Sequence, residues 1–391
     1  MRRRGAGTQR AKSGSRIGSA LCGSIVAALC LLSSSALARS GLTGFTVDPG
    51  GPTPPPPSTT PQPNGRGPSA LVSGPEVCGL QTATFDVIFL NGFDLQPTGL
   101  GTALGTVDAP TLGITPTISI TYPPPSTTLL NGKVQVAGTV TGSVDTGVQV
   151  NNVRAYIYNG QFLTPPISID STTSTLNAQA TTLDGLTATA SVSVMASAGD
   201  PGATLTTGAS VGYAPLPVRL NLASTNAQAI QTVVVDFGDG TAAYNGSTLG
   251  YIPLHTYAQP GMYAAIATIT FTSGPPQTAV ARIIAISLAD QRTSVCSGYA
   301  YFRAQLIAGQ ISNASRALTG SLSTRLTPFL QALNSGGTLS TTAAQLGMLA
   351  TGTFTLDTAD IVAVRDVSGQ VIGYPIHFVK DVNGIWRLDS M

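Results

Sequence analysis

A chain of 391 residues with 42% hydrophobic residues carries enough apolar material for two or three cores, which excludes disorder throughout. Charged residues make up only 9%, Gly and Pro number 44 and 27, and the only Glu is Glu76, a balance that favours strands and tight turns over long surface helices.

The first forty residues read as a leader. Arg2, Arg3, Arg4, Arg10, Lys12 and Arg16 form a basic stretch, residues 25–32 an apolar run, and Ala36-Leu37-Ala38 a small-residue cleavage pattern, so residues 1–38 are expected to be a signal peptide and the protein to be exported. The destination is then the periplasm, the cell surface or the medium. The run of eight apolar residues falls short of the roughly 20 that a spanning helix needs, so membrane attachment is expected only through the uncleaved leader. A lipid anchor on Cys22 or Cys30 is disfavoured by Leu21 and Leu29, which stand where a small residue should precede the modified cysteine. Six of the nineteen basic residues lie in the leader, and the thirteen that remain face seventeen acids. With no Lys/Arg cluster after residue 39, no nucleic-acid partner is expected. Beyond the leader only Cys78 and Cys296 occur; in an oxidising compartment they can pair across a very long loop, or remain two unrelated thiols.

Residues 39–75 hold Pro52, the prolines at 54–57, Pro61, Pro63 and Pro68 among Gly, Ser, Thr and Asn, and are expected to form a disordered, extended spacer. Residues 76–114 offer a single strand at 84–90 before the turn Asn91-Gly92, and are left unassigned. Over 115–197 the alternation of Val134, Val136 and Val140 against Lys133, Gln135 and Thr139, with turns at Asn131-Gly132, Asn159-Gly160 and Asp184-Gly185, predicts an antiparallel β-sandwich. The stretch LNGKVQVAGTVTGSVDTGVQVNNV at 130–153 resembles bacterial Ig-like modules of exported adhesins and secreted enzymes.

Residues 203–290 predict a second sandwich. Strands at 218–222 and 232–235 lead to the corner Asp236-Phe237-Gly238-Asp239-Gly240-Thr241, then His255-Thr256-Tyr257, Pro260-Gly261-Met262-Tyr263 and an alternating strand at 266–270. The two glycines supply backbone conformations closed to other residues, and the two aspartates can accept from neighbouring amides to fix the corner. Tyr257 and Tyr263 fit half-buried strand positions. This ordered set resembles the PKD (polycystic kidney disease) family, whose wording is a strand ending in DFGDG, then H-x-Y, then PG-x-Y. Val235 departs from the Trp that many members carry before the Asp, so the core there is filled differently.

Residues 297–391 change character: a helix at 299–317, from the spacing of Phe302, Leu306, Ile307, Ala314 and Ala317, and a second helix at 321–333, stopped by Gly336-Gly337, precede strands at 353–356, 361–365, 371–379 and 385–388 with turns at Ser368-Gly369 and Asn383-Gly384. The order, and the ending FVKDVNGIWRLDSM, resemble the cone-shaped fold of nuclear-transport-factor-like and cystatin-like families. The fold class is thus mainly β, tandem Ig-like and PKD-like sandwiches followed by a small α+β domain.

Chemistry is sparse. His255 and His377 are the only histidines and neither sits in a nucleophile motif. Asp357, Asp360 and Asp366 flank turns, as solvated aspartates do; no Cys/His cluster suits zinc and no phosphate loop occurs. Asp236 and Asp239 are weak calcium candidates. No cofactor and no enzymatic activity are expected. The leading reading is a non-catalytic exported protein that binds extracellular polysaccharide or a surface protein through its sandwiches. The alternative places a small-ligand or enzymatic site in the C-terminal domain, lined by Tyr299, Tyr374, His377 and Trp386. A third is a structural surface component that pairs through exposed strand edges.

Overall fold

Short runs of β-branched and small residues that alternate in polarity bury one face each, and the structure is built from such strands. The computed structural model describes residues 109–391 except 131, 171–174 and 368–369, together with the strands β1 (Val87–Phe89) and β2 (Asp94–Leu95). The leader, the proline-rich spacer, Cys78, the turns at Asn91-Gly92 and Ser368-Gly369, Asn131 and the side chain of Asp366 lie outside the described residues.

The first sandwich uses β3 (Thr117–Tyr122), β4 (Thr127–Leu130), β5 (Lys133–Val134), β6 (Ala137–Thr141), β7 (Gly147–Val150), β8 (Val153–Arg154), β9 (Tyr156–Tyr158), β10 (Gln161–Leu163), β11 (Ile167–Ser168), β12 (Thr175–Thr181) and β13 (Thr187–Ser197). One sheet runs β3-β6-β10-β9 and the facing one β4-β13-β12-β7-β8. Val136, Val148, Val150, Phe162, Leu176 and Ala180 fill the space between them. The Asn159-Gly160 hairpin has φ of 48° and 71° at its two central residues, the left-handed pair that a tight two-residue turn demands.

The second sandwich uses β14 (Ala203–Thr207), β15 (Val211–Tyr213), β16 (Leu216–Val218), β17 (Leu220–Ser224), β18 (Ile230–Asp236), β19 (Tyr244–Gly246), β20 (Gly250–Tyr251), β21 (His255–Tyr257), β22 (Gly261–Phe271) and β23 (Gln277–Ile286). Its sheets are β15-β23-β22-β18-β19 and β14-β17-β20, with β16 paired to β21. Val235 is fully buried in the core beside Val233, Ala267 and Ile283. Tyr257, expected half-buried, is wholly enclosed, because its hydroxyl donates to the Phe237 carbonyl (3.1 Å) and so needs no water.

The last region has helices α1 (Leu288–Ile307), α2 (Ile311–Ala314), α3 (Gly320–Ser335) and α4 (Leu339–Ala344), then β24 (Met348–Phe354), β25 (Thr358–Val367), β26 (Gln370–Lys380) and β27 (Trp386–Ser390). β24-β25-β26 is an antiparallel meander, β27 pairs with β26, and β1 joins β26 in parallel at Ile88↔Ile372. α1 starts at Leu288, eleven positions before the helix the spacing indicates at Tyr299. The Ser287 hydroxyl caps it by accepting from the Asp290 N–H (3.2 Å), and β23 enters the helix with no linker between them. Five consecutive residues, Val295, Cys296, Ser297, Gly298 and Tyr299, are buried, so the middle of the helix shows no amphipathic stripe, whereas Ala289, Asp290 and Thr293 in its first turns are exposed.

α1 packs against α2 and α4, its Ser294 hydroxyl donates to the Val144 carbonyl of the first sandwich (3.0 Å), and a separate core joins the units. Ala137, Tyr156 and Leu163 of the first sandwich pack with Ile284 and Ile286 of the second, and Leu356 closes on this cluster from the β24–β25 turn. Gln135 and Arg282 exchange reciprocal bonds (Nε2–H to O 3.1 Å, N–H to Oε1 3.4 Å), and the Arg282 guanidinium lies 3.3 Å above the Tyr122 ring. Tyr213 donates to the Thr355 carbonyl (2.6 Å). Gly147 sits against the β26–β27 turn so closely that a Cβ there would lie 2.2 Å from the Asn383 carbonyl oxygen. Gly147→Ala is therefore expected to push this turn off the first sandwich and destabilise the fold by about 1–3 kcal/mol. Denaturant melts would read the loss, and hydrogen exchange should show faster opening of residues 381–384.

Candidate functional site

The β26–β27 hairpin is a stiff platform. Gly384, at φ +85°, donates to the Asp381 carbonyl (3.0 Å), Asp381 accepts from the Ile385 N–H through Oδ1 (3.0 Å), and its Oδ2 takes Nε–H of Arg387 (3.0 Å). The hairpin thus holds Lys380 and Trp386 on either side of a fixed turn. Facing it are the β6–β7 loop, the β9–β10 hairpin and the first turns of α1, which with it enclose a cavity of 450 Å³. Asp145, Tyr158, Asp290, Gln291, Lys380 and Trp386 are on its walls.

Two of these side chains are unusual. Asp145 is only 8% exposed; its Oδ2 accepts from the Leu183 N–H (2.5 Å), while Oδ1 has no partner among the described residues. Buried carboxylate oxygens are normally satisfied, and this one, with almost no accessible surface, is an exception on the cavity wall. Lys380 places its ammonium 4.9 Å from the Trp386 ring and 5.4 Å from the Tyr156 ring. The nearby Asp357 carboxylate is already engaged: it accepts from the Tyr156 hydroxyl (3.0 Å) and pairs with Arg154 (2.5 Å). Burial pushes the Lys380 amine down to about 7, opposed by Asp357 and assisted by the like charge of Arg154. Burial, with the Asp357 charge, pushes the Tyr156 phenol well above its ordinary value.

The four residues proposed from sequence do not converge. Trp386 lines the cavity, its indole N–H donating to Gln291 Oε1 (3.3 Å). Tyr299 is buried, its hydroxyl donating to the Gly347 carbonyl (2.8 Å). Tyr374 and His377 are three residues apart on an unbroken ladder and so face opposite sides of the sheet. Tyr374 lies beneath the Arg365 guanidinium at 5.5 Å, and His377 Nδ1 pairs with Asp360 at 2.7 Å, which raises the imidazole above its usual value. Asp236 Oδ1 accepts from Gly238 (2.9 Å); Asp239 accepts from Thr241 N–H (3.1 Å) and contacts His255 Nε2 (2.7 Å), so these oxygens already serve the corner. Among the described residues no cluster of three His, Cys, Asp or Glu could hold a metal ion. Cys296 is disulfide-bonded, and its partner lies outside the described residues. Asp357 flanks the β24–β25 turn with its side chain 46% exposed, and it is also the anion shared between Tyr156 and Arg154.

Lys380 went unnoticed in the sequence although a signal was there. It follows Ile376 and Phe378 at even spacing on the apolar face of β26, and a lysine in that register is out of place. Asp145 has no such local mark.

No family model matches the chain, and no curated protein matches it. Among solved structures, it is similar to the fibronectin(III)-like modules of Clostridium thermocellum CbhA (15% identity, 44% of this chain and 94% of that chain, TM-score 0.17). It is also similar to the N-terminal Ig1-2 module of the Drosophila receptor protein tyrosine phosphatase DLAR (9% identity, 44% of this chain and 98% of that chain, TM-score 0.20). Likenesses at these TM-scores carry no argument, and the fold, tandem β-sandwiches followed by a small α+β region, stands on the strand ladders themselves.

The lowered Lys380 value sets a pH dependence. Its folded value of about 7 lies below the ordinary 10.5, so between these pH values the unfolded chain holds more protons, and this residue makes stability rise with pH across that window. Lys380→Met is expected to be more stable than wild type at about pH 6, with the difference shrinking by about pH 9.5. Urea midpoints of the two proteins at both pH values check it, and the opposite-sloped contribution of His377 cancels in the comparison.

Proposed function

We propose that this is an exported, non-catalytic modular protein that binds an extracellular polysaccharide, with the cavity between the first sandwich and the C-terminal hairpin as the site. The observation that carries this reading is a 450 Å³ cavity that has the Tyr158 and Trp386 side chains and the buried Asp145 carboxylate on its walls. A sugar offers hydroxyl donors to a carboxylate and apolar ring faces to aromatic walls, and the volume lies within the roughly 300–1,000 Å³ of small-ligand sites. The short polar groups Thr146, Ser294 and Gln291 add further hydrogen-bonding capacity. Export is inferred from the basic leader, apolar run and small-residue site at 1–38.

The second sandwich is assigned to the PKD type. Support comes from the corner itself: Asp236 and Asp239 each close on an amide two residues ahead, His255 stacks on Phe237 (3.8 Å between ring centres), and Tyr257 stacks on Tyr263 (4.5 Å). In this reading the sandwich braces the binding unit. The C-terminal region is assigned to the cone-shaped class on the order of helices before meander.

Glycan-array screening of the protein starting at Arg39, followed by calorimetry on the best ligand, tests the reading. Asp145→Asn and Tyr158→Ala are each expected to raise Kd about tenfold or more, the loss of one hydrogen bond to a charged group or one aromatic wall. Absence of glycan binding, or wild-type affinity in both variants, would overturn it.

A further inference from the structure

The chain has three lysines, Lys12, Lys133 and Lys380; among the described residues Lys133 is exposed, whereas Lys380 is half-buried on the wall of a cavity. We propose that Lys380 is a nucleophilic amine that condenses reversibly with small aldehydes or ketones entering this cavity.

The placement argues for it. A lysine kept only for an ion pair would face its own carboxylate, and one kept for solubility would reach water along its stem. Lys380 is only half-buried, but among the described residues it has no carboxylate of its own. Its backbone N–H is fixed on the Asp357 carbonyl (2.8 Å), yet the Asp357 carboxylate is taken by Arg154 and the Tyr156 hydroxyl. Among the described residues no carboxylate lies within ion-pair distance of its ammonium. The side chain is instead sandwiched by the Tyr156 and Trp386 rings and lines the void. A neutral amine in such a place carries a free lone pair, the requirement for attack on a carbonyl. The groups that face it are Asp357 from the β24–β25 turn, Arg154 and Tyr156 from β8 and β9, and Asp145 and Asp290 across the cavity; Asp381 beside it is held by Arg387. The value of about 7 follows from this surrounding, so a large share of the amine is neutral near neutrality.

The chemistry needs no oxidant and no cofactor. The Nζ lone pair adds to the carbonyl carbon, the carbonyl oxygen takes up a proton, and nitrogen loses one, giving a carbinolamine. Loss of one water then yields the imine, and hydration reverses it.

Glyceraldehyde with cyanoborohydride, which reduces the imine to a stable secondary amine, tests the proposal on the protein starting at Arg39. Exposed Lys133 is the internal standard, and peptide mass spectrometry separates both lysines from the terminal α-amine. At pH 7, Lys380 is expected to label about tenfold faster than Lys133, an advantage that disappears in urea and narrows above pH 10. Lys380→Arg should leave labelling at Lys133 alone. Should that variant fail to fold, the wild-type rate ratio and its pH profile still decide the matter. Equal rates at the two lysines, faster labelling of Lys133, or a preference that survives in urea would overturn the proposal. Glycan affinity is measured separately through Asp145 and Tyr158, so the two readings fail independently.

Discussion

Ala137, Tyr156, Leu163, Ile284 and Ile286 form a core that belongs to neither sandwich alone, and the arrangement of everything C-terminal to it depends on that burial. Pulling the sandwiches apart would return these side chains to water at about 1.5–3 kcal/mol for each large one. It would also strand the reciprocal Gln135–Arg282 pair and the Tyr213 bond to Thr355. Modules joined this way act as one body. The cavity walls come from at least four stretches of chain, and the shared core, the Arg154–Asp357 pair and the contact of Gly147 with the Asn383 turn together hold their spacing.

The covalent route through the junction reinforces it. β23 ends at Ile286 and α1 begins at Leu288, so the second sandwich hands its last strand directly to a helix whose middle, residues 295–299, is buried. A flexible linker at this point would let the helix leave, and with it Asp290 and Gln291. The Ser287 cap lets strand become helix within one residue, because the hydroxyl satisfies an amide that would otherwise be orphaned at the helix start.

What could be read from the sequence is what local chemistry decides. The Asn159-Gly160 turn, the glycines at 185, 238, 240 and 384 with positive φ, and the alternation of β12 and β13 each rest on residues within a few positions of one another. The start of α1 was missed because the continuous buried run at 295–299 breaks the apolar period between its first turns and Phe302; the Ser287-x-x-Asp290 spacing was the one local clue. The site was largely illegible for a different reason. Tyr156 and Asp357 stand 201 positions apart, and no pattern along the chain announces that a strand end of one unit will meet a turn of another. Tyr374 and His377 failed to meet for the converse reason: proximity in sequence put both on one strand, and an odd separation put them on opposite faces.

The junction also explains why a lysine is tolerated where the pleat would call for an apolar residue. Arg154 and Asp357 cancel each other at 2.5 Å, and the Tyr156 hydroxyl uses the remaining capacity of the carboxylate. A charged Lys380 would leave the cluster with one uncompensated positive charge against two aromatic rings, whereas the neutral amine leaves it balanced. The rings soften that cost through cation–π attraction, which is why protonation falls within reach of neutral pH rather than being abolished. On the far side of the same void, Asp145 keeps one oxygen without a partner. Under the proposed reading, a cavity with such an amine and a buried carboxylate on its walls would discriminate by chemistry as well as by shape, disfavouring purely apolar ligands, which would leave polar groups unsatisfied.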